Sequence, residues 1–173
     1  VPEIDTILAP YAKKSYEKYL EEFRTVAAQL HTEGTDEAAA AYAKSKTIRD
    51  IEQGYQGIEY KLNTVASSRG DYPFITFSFG IDTSEWGREI AKAILRVHKG
   101  GQGKEGFKHA VLFPKLVFLY DKNLHGPGCI NEDVFDEGIQ CSAKTMYPDW
   151  LSLTGEGYIA DMHKTYHKAI SPM

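Results

Sequence analysis

The side chains best suited to chemistry are Cys129 and Cys141, a histidine pair at His163 and His167, and a cluster of glycines and lysines. A reactive cysteine needs a neighbouring base or cation to expose its thiolate. Cys141 stands near Lys144 on a stretch patterned as helix, but no catalytic base sits at a diagnostic spacing. It reads as a buried structural thiol. His163 and His167 would lie one helical turn apart, yet the zinc motif H-E-x-x-H needs glutamate where Lys164 stands. Both read as surface histidines, and no metal ligands are assigned. Gly101, Gly103 and Gly106 fit the letters of G-x-G-x-x-G. A dinucleotide loop must follow a strand and open a helix, whereas this one follows a helix and precedes a strand. A Walker loop would need glycine at His98 and a hydroxyl at Glu105. The stretch reads as a helix stop, with a basic loop able to cover a triphosphate as the alternative.

Gly54 and Gly57 fall inside a helical pattern, where each costs about 1 kcal/mol relative to alanine. Either a crossing helix or a nucleotide lying against bare backbone would explain them. Lys44, Lys46 and Arg49 share that helix and could contact phosphates or simply face water.

These residues must be held by an α/β framework. Phe113 to Tyr120 is a continuous apolar run, the pattern of a strand covered on both faces, with Pro114 tolerated at its start. A second strand is predicted over Phe74–Phe79, with Ile75, Phe77 and Phe79 facing helices and Phe74, Thr76 and Ser78 facing away. A third is predicted over Trp150–Leu153. Between them the spacing predicts a helix started by Asp82 and Thr83, with Glu85 completing the cap and Trp86, Ile90, Ile94 and Val97 buried. It also predicts a helix capped by Asn131, with Val134, Phe135, Ile139, Ala143 and Met146 on one face. Asp121 to Gly128 reads as a loop, and a last helix runs from Tyr158 to about Lys168.

Two helices precede this series. The first is predicted after Pro10 and ends at His31 to Gly34; the second is capped by Thr35 and carries Ile48, Ile51, Tyr55, Ile58, Leu62 and Val65 as a narrow apolar seam. The seam predicts packing on another helix, either the preceding one or a second copy across a two-fold axis.

With 173 residues, 42% of them hydrophobic, there is material for a real core. A net charge of -4 gives no basic field for duplex nucleic acid. Two cysteines are too few for a disulfide scaffold, and no apolar run has membrane length, so the reading is a cytoplasmic chain without nucleic acid or membrane partners. The absence of an initiator methionine and the ending at Met173 suggest a piece of a longer polypeptide.

Several runs, in order, resemble the class III anaerobic ribonucleoside-triphosphate reductases of the glycyl radical family. They are Leu8-Ala9-Pro10-Tyr11, Gly57-Ile58-Glu59-Tyr60 with Asn63-Thr64, Pro73 to Gly80, Phe113-Pro114-Lys115-Leu116-Val117-Phe118, Cys141 to Asp149, and Ser171-Pro172-Met173. The Phe-Pro-Lys-Leu-Val-Phe and Met-Tyr-Pro-Asp runs are the most specific, since no packing rule demands them.

The resemblance implies an internal fragment of the large catalytic subunit. Residues 1–66 would be the helical pair of the dimer and effector region; residues 67–173 would be an arc of about three parallel strands, with crossover helices, of a ten-stranded α/β barrel. It implies reduction of ribonucleoside triphosphates to deoxyribonucleoside triphosphates by glycyl and thiyl radical chemistry, with formate the usual reductant. ATP and deoxynucleotide effectors are implied, with Lys44, Lys46, Gly54 and Gly57 as candidate contacts. A homodimer is implied, together with an activating enzyme that uses S-adenosylmethionine and an iron–sulfur cluster.

The family's radical-bearing cysteine would stand just beyond Met173, leaving no catalytic residue in the chain and Ser171, Pro172 and Met173 as substrate-pocket candidates. The structural zinc and the radical glycine are likewise expected elsewhere, and the chain alone is expected to be inactive. The alternative function is a non-catalytic module that binds nucleotides and dimerises.

Overall fold

The computed structural model describes residues 1–31, 35–65, 70–71 and 73–167. Their order is α1 (Ile4–Gln29), α2 (Asp36–Thr64), β1 (Thr76–Phe79), α3 (Glu85–Gly100), β2 (Lys115–Tyr120), α4 (Lys122–His125), α5 (Glu132–Thr145), β3 (Asp149–Ser152) and α6 (Tyr158–Tyr166). The three strands form a parallel sheet in the order β1-β2-β3, with Phe77 beside Leu116 and Phe118 beside Trp150. The apolar run is therefore the central strand, and Leu116 to Leu119 are buried. Each strand is shorter or shifted relative to expectation. Phe74 and Phe113 lie outside the ladder, where their rings meet edge to face, and β3 ends at Ser152, although Leu153 still donates to Tyr120 O at 2.8 Å.

Alternation along β1 decides the layers as predicted. Phe77 and Phe79 join Leu116 and Phe118 beneath Trp86, Ile90 and Ile94 of α3 and Val134 and Cys141 of α5. Ala12 of α1 and Tyr55 of α2 belong to the same core. The opposite face gathers Val117, Leu119 and Leu153 with Ile81, Leu151 and Ile159.

The helices correct several expectations. α1 starts at Ile4, and Pro10 lies inside it. Proline removes one bond, that to Thr6, and the helix tolerates the loss. Thr35 caps α2 as predicted, its Oγ1 accepting from Ala38 N at 3.1 Å. The buried stripe of α2 is Ala39, Ala43, Thr47, Tyr55, Glu59 and Leu62, whereas Ile58 and Val65 of the predicted seam are 40% and 58% exposed. The cause is a partner on each side. α1 lies antiparallel to α2 through Arg24–Asp36 and Tyr42–Glu22, and α3 packs on another flank through Lys44–Glu85 and Arg96–Glu52.

Ser84, rather than Asp82 or Thr83, caps α3 by accepting from Gly87 N, while Asp82 accepts from Ser84 N and forms the preceding turn. Gly101, at φ 71°, stops α3 as predicted. A short helix, α4, occupies part of the stretch read as loop. Asn131 precedes α5 but sends its amide to Gly80 O and Asp82 O instead of capping. The buried stripe of α5 is Val134, Gly138 and Cys141, whereas Ile139, Ala143 and Met146 are exposed. Spacing between large apolar residues misplaced that face. The small Gly138 lets Trp150 and Phe118 close on the helix, since a Cβ there would meet the Trp150 ring at 2.9 Å. The predicted end of α6 at Lys168 lies outside the described residues.

Candidate functional site: the groove between the first two helices

The paired helices leave a groove of about 260 Å³. Leu8, Tyr11, Ala12 and Ser15 of α1 form one wall, Thr47, Asp50, Ile51, Gly54, Tyr55 and Ile58 of α2 the other, and Ile90 and Ile94 of α3 the floor. Its lining is largely apolar. The one carboxylate, Asp50, is engaged by the Tyr19 hydroxyl, and that bond pushes the phenol's pKa up to about 12. The Tyr55 phenol is raised well above its ordinary value, first by burial and then by the neighbouring Glu59 charge. Such a surface suits an apolar side chain or helix, because no cation lines it to meet a phosphate.

Gly54 opens onto this groove, and a Cβ placed on Gly54 or Gly57 would find nothing within 4 Å among the described residues. Among the described residues, therefore, no crossing helix reaches either glycine. Both glycines present bare backbone to open space.

The predicted lysines do not converge on those glycines. Lys44 bonds Glu85 at 2.7 Å, which raises its pKa. Lys46 sits over the rings of Tyr19 and Tyr42, 5.3 and 5.4 Å from their centroids, with Glu22 3.8 Å away. A helix turns 100° per residue, so two positions apart place these lysines on nearly opposite sides. Lys44 instead shares a shallow hollow of about 550 Å³ with Ser45, Ile48, Arg49 and Glu52. Ser171, Pro172 and Met173 lie outside the described residues.

Beneath the groove, Glu59 Oε1 and His98 Nδ1 lie 2.8 Å apart with their side chains sealed from solvent. Among the described residues, Glu59 Oε2, His98 Nε2 and the Tyr55 hydroxyl have no partner at hydrogen-bond distance, although Tyr55 lies close enough to feel the Glu59 carboxylate. The pair fastens α2 to the end of α3. Reading the sequence missed it, although a glutamate four residues after Tyr55 in an otherwise apolar stripe was an available signal.

Cys141 is fully buried, with Sγ 3.6 Å from Thr145 Oγ1, and burial raises its thiol pKa. This matches the structural reading. Cys129 is half-buried. His163 and His167 edge an open hollow with Lys122, Glu156 and Lys164. Among the described residues, no group of three or more His, Cys, Asp or Glu side chains is arranged to hold a metal ion. Among the described residues, no helix is long and apolar enough to cross a membrane.

The two most specific runs meet where β2 pairs with β3, with Val117 beside Asp149. Lys115, from Phe-Pro-Lys-Leu-Val-Phe, lies 3.0 Å from Asp149, from Met-Tyr-Pro-Asp, across the β2–β3 boundary.

Comparison with known proteins agrees with these runs. Residues 1–173 match the family model described as anaerobic ribonucleoside-triphosphate reductase. The chain is 37% identical over 153 residues to the enzyme of that name from Escherichia coli K12, covering 88% of this chain and 20% of that protein. It is 36% identical to the Enterobacteria phage T4 enzyme, covering 86% of this chain and 23% of that protein. A Salmonella typhimurium relative is 36% identical, with 88% and 20% covered. The chain thus spans about a fifth of the length of these relatives. With its parallel sheet, its flanking helices and this match from first residue to last, the chain belongs to the anaerobic ribonucleoside-triphosphate reductase family.

Proposed function

We propose that the chain is a segment of an enzyme that reduces ribonucleoside triphosphates to deoxyribonucleoside triphosphates, and that its share is scaffold and regulatory surface. The observation that carries this reading is the family match over the whole chain. The family's radical chemistry, started by an activating enzyme with S-adenosylmethionine and an iron–sulfur cluster, removes a hydrogen atom from the ribose.

The described residues do not fit that machinery. Burial seals Cys141, and no ligand cluster among the described residues suits a structural zinc. Their work is to hold the sheet and to present α1 and α2.

The three strands are read as an arc of a larger barrel. Val1 donates to Thr76 O and accepts from Ser78 N, the bonding of a parallel neighbour on the outer edge of β1. The groove above Ile90 and Ile94 is read as a dimer contact, because exposed Ile58 and bare Gly54 leave room for a helix. The hollow with Lys44, Ser45 and Arg49 is read as the nucleotide-effector surface, where Lys44 would exchange Glu85 for phosphate.

The test is an anaerobic assay of the complete polypeptide containing this chain, with its activating enzyme, formate and each ribonucleoside triphosphate. Deoxynucleotide should form there and not with residues 1–173 alone. Failure of the complete, radical-bearing polypeptide to make any deoxynucleotide refutes the reading. For the regulatory surface, Ile58→Asp should weaken self-association in sedimentation, and Arg49→Ala should weaken effector binding without changing oligomeric state.

A further inference from the structure

The segment between α3 and β2, read from the sequence as a helix stop or a basic covering loop, folds back on itself as a closed finger. It leaves α3 at Gly101, and its two limbs are joined where Gln102 N donates to His109 O at 2.9 Å and His109 N donates to Gln102 O at 2.8 Å. Beyond this bridge the tip turns through Phe107 N, which donates to Lys104 O at 2.9 Å. The limbs lie so close that a Cβ on Gly101 would meet His109 O, and one on Gly103 would meet Phe107 O, each at 2.6 Å. The tip projects Lys104, Phe107 and Lys108 into solvent, with Phe107 83% exposed.

Two side chains fasten this finger to α2. Gln102 is buried, and its Nε2 donates to Gln56 O at 3.1 Å. About two turns further along α2, Asn63 takes the other limb. Its Oδ1 accepts from Leu112 N at 3.3 Å and from Phe113 N at 3.2 Å, and its Nδ2 donates to Phe113 O at 2.6 Å and to Glu59 O at 2.7 Å. The amide thus meets both backbone groups of Phe113, as a neighbouring strand would, and is itself held to the helix by the Glu59 carbonyl. Val111, just before this clamp, is buried. Because the bridge joins the limbs, ordering one lowers the entropy cost of ordering the other, so the two clamps reinforce each other.

We propose that residues 101–113 are a rigid finger carried by α2, with Asn63 as the residue that positions it. The tip then has no lid-like swing of its own, and it goes where α2 goes. Since α2 also lines the groove, Phe107 and that wall of the groove belong to one body, and whatever displaces the helix displaces the tip.

The test is hydrogen exchange by mass spectrometry on the complete polypeptide containing this chain, comparing residues 101–109, 110–113 and 86–98. Asn63→Ala should quicken exchange at Gln102 and His109 about tenfold, roughly the worth of one hydrogen bond, although its own bonds to the finger are at Leu112 and Phe113. Gln102→Met, which keeps the side chain's length and removes the bond to Gln56, should quicken Leu112 and Phe113 to a similar degree. Exchange within α3 should stay within about twofold of the parent in both variants. A variant that quickens only the limb it touches overturns the finger, and so does equal quickening across α3, which would mean general loosening. If Asn63→Ala fails to fold, Gln102→Met decides alone, and unchanged exchange at Leu112 and Phe113 overturns the proposal.

Discussion

Replacing His98 by leucine should destabilise the fold by about 3–5 kcal/mol, far more than the loss of one hydrogen bond. Leucine fills most of the imidazole's space beneath Tyr147, whose ring meets His98 edge to face at 5.3 Å. The cost comes from Glu59. Its side chain is sealed from solvent, Oε1 would lose its partner at 2.8 Å, and Oε2 has no hydrogen-bond partner among the described residues. Glu59→Met together with His98→Leu removes both polar groups at nearly constant volume. That double variant should return to within about 1–2 kcal/mol of the parent, because an apolar replacement no longer buries an unpaired group. Urea unfolding followed by fluorescence of the buried Trp86 would measure the parent, each single variant, Glu59→Met included, and the double variant, with unchanged m-values licensing the comparison. A single variant within 1 kcal/mol of the parent, or a double variant as unstable as the sum of the singles, refutes the account of this pair.

Gly138→Ala should lower stability by about 1–3 kcal/mol in the same experiment, since its Cβ would press on Trp150, whereas Gly54→Ala should be neutral or stabilising by up to about 1 kcal/mol. If Gly54→Ala nonetheless abolishes dimerisation, the bare backbone serves a partner. At pH 8, iodoacetamide should label Cys129 at least about tenfold faster than Cys141, whose thiol is buried and shifted up; equal rates would show that α5 does not seal it. Burial alone would raise the Asp133 pKa, but its bonds to Arg88 and Lys92 prevail and lower it. Asp133→Asn should therefore cost about 1 kcal/mol at pH 7 and progressively less as pH falls below 4, read from melting temperatures.

The strands and helices were legible where composition and period agree. The run from Leu116 to Leu119 could hardly be anything but a central strand, and Thr35 and Gly101 mark helix ends by chemistry that depends on a few neighbouring residues. Faces were legible less often, because a helix touched on two sides buries residues by tertiary contact instead of by a single stripe. Thus α2 hides Thr47 and Glu59 while showing Ile58, and α5 hides Gly138 while showing Met146. Pro10 suggested a helix start because proline is welcome there, although a long helix can spare one bond. The polar contacts were largely illegible. Asp5 and Gly80 are 75 positions apart, and nothing local to either announces the other.

That separation also bears on how the chain is made. The helical hairpin of α1 and α2 leaves the ribosome before the strand edge that receives Val1, Glu3 and Asp5 has been synthesised. The hairpin is complete at Thr64 and α3 at Gly100, so at about 5–20 residues per second the 36 positions between them take roughly 2–7 s. Until then the hairpin stands without α3 over Ile51 and Tyr55. The nascent chain thus passes through a stage in which the apolar face of this hairpin is uncovered.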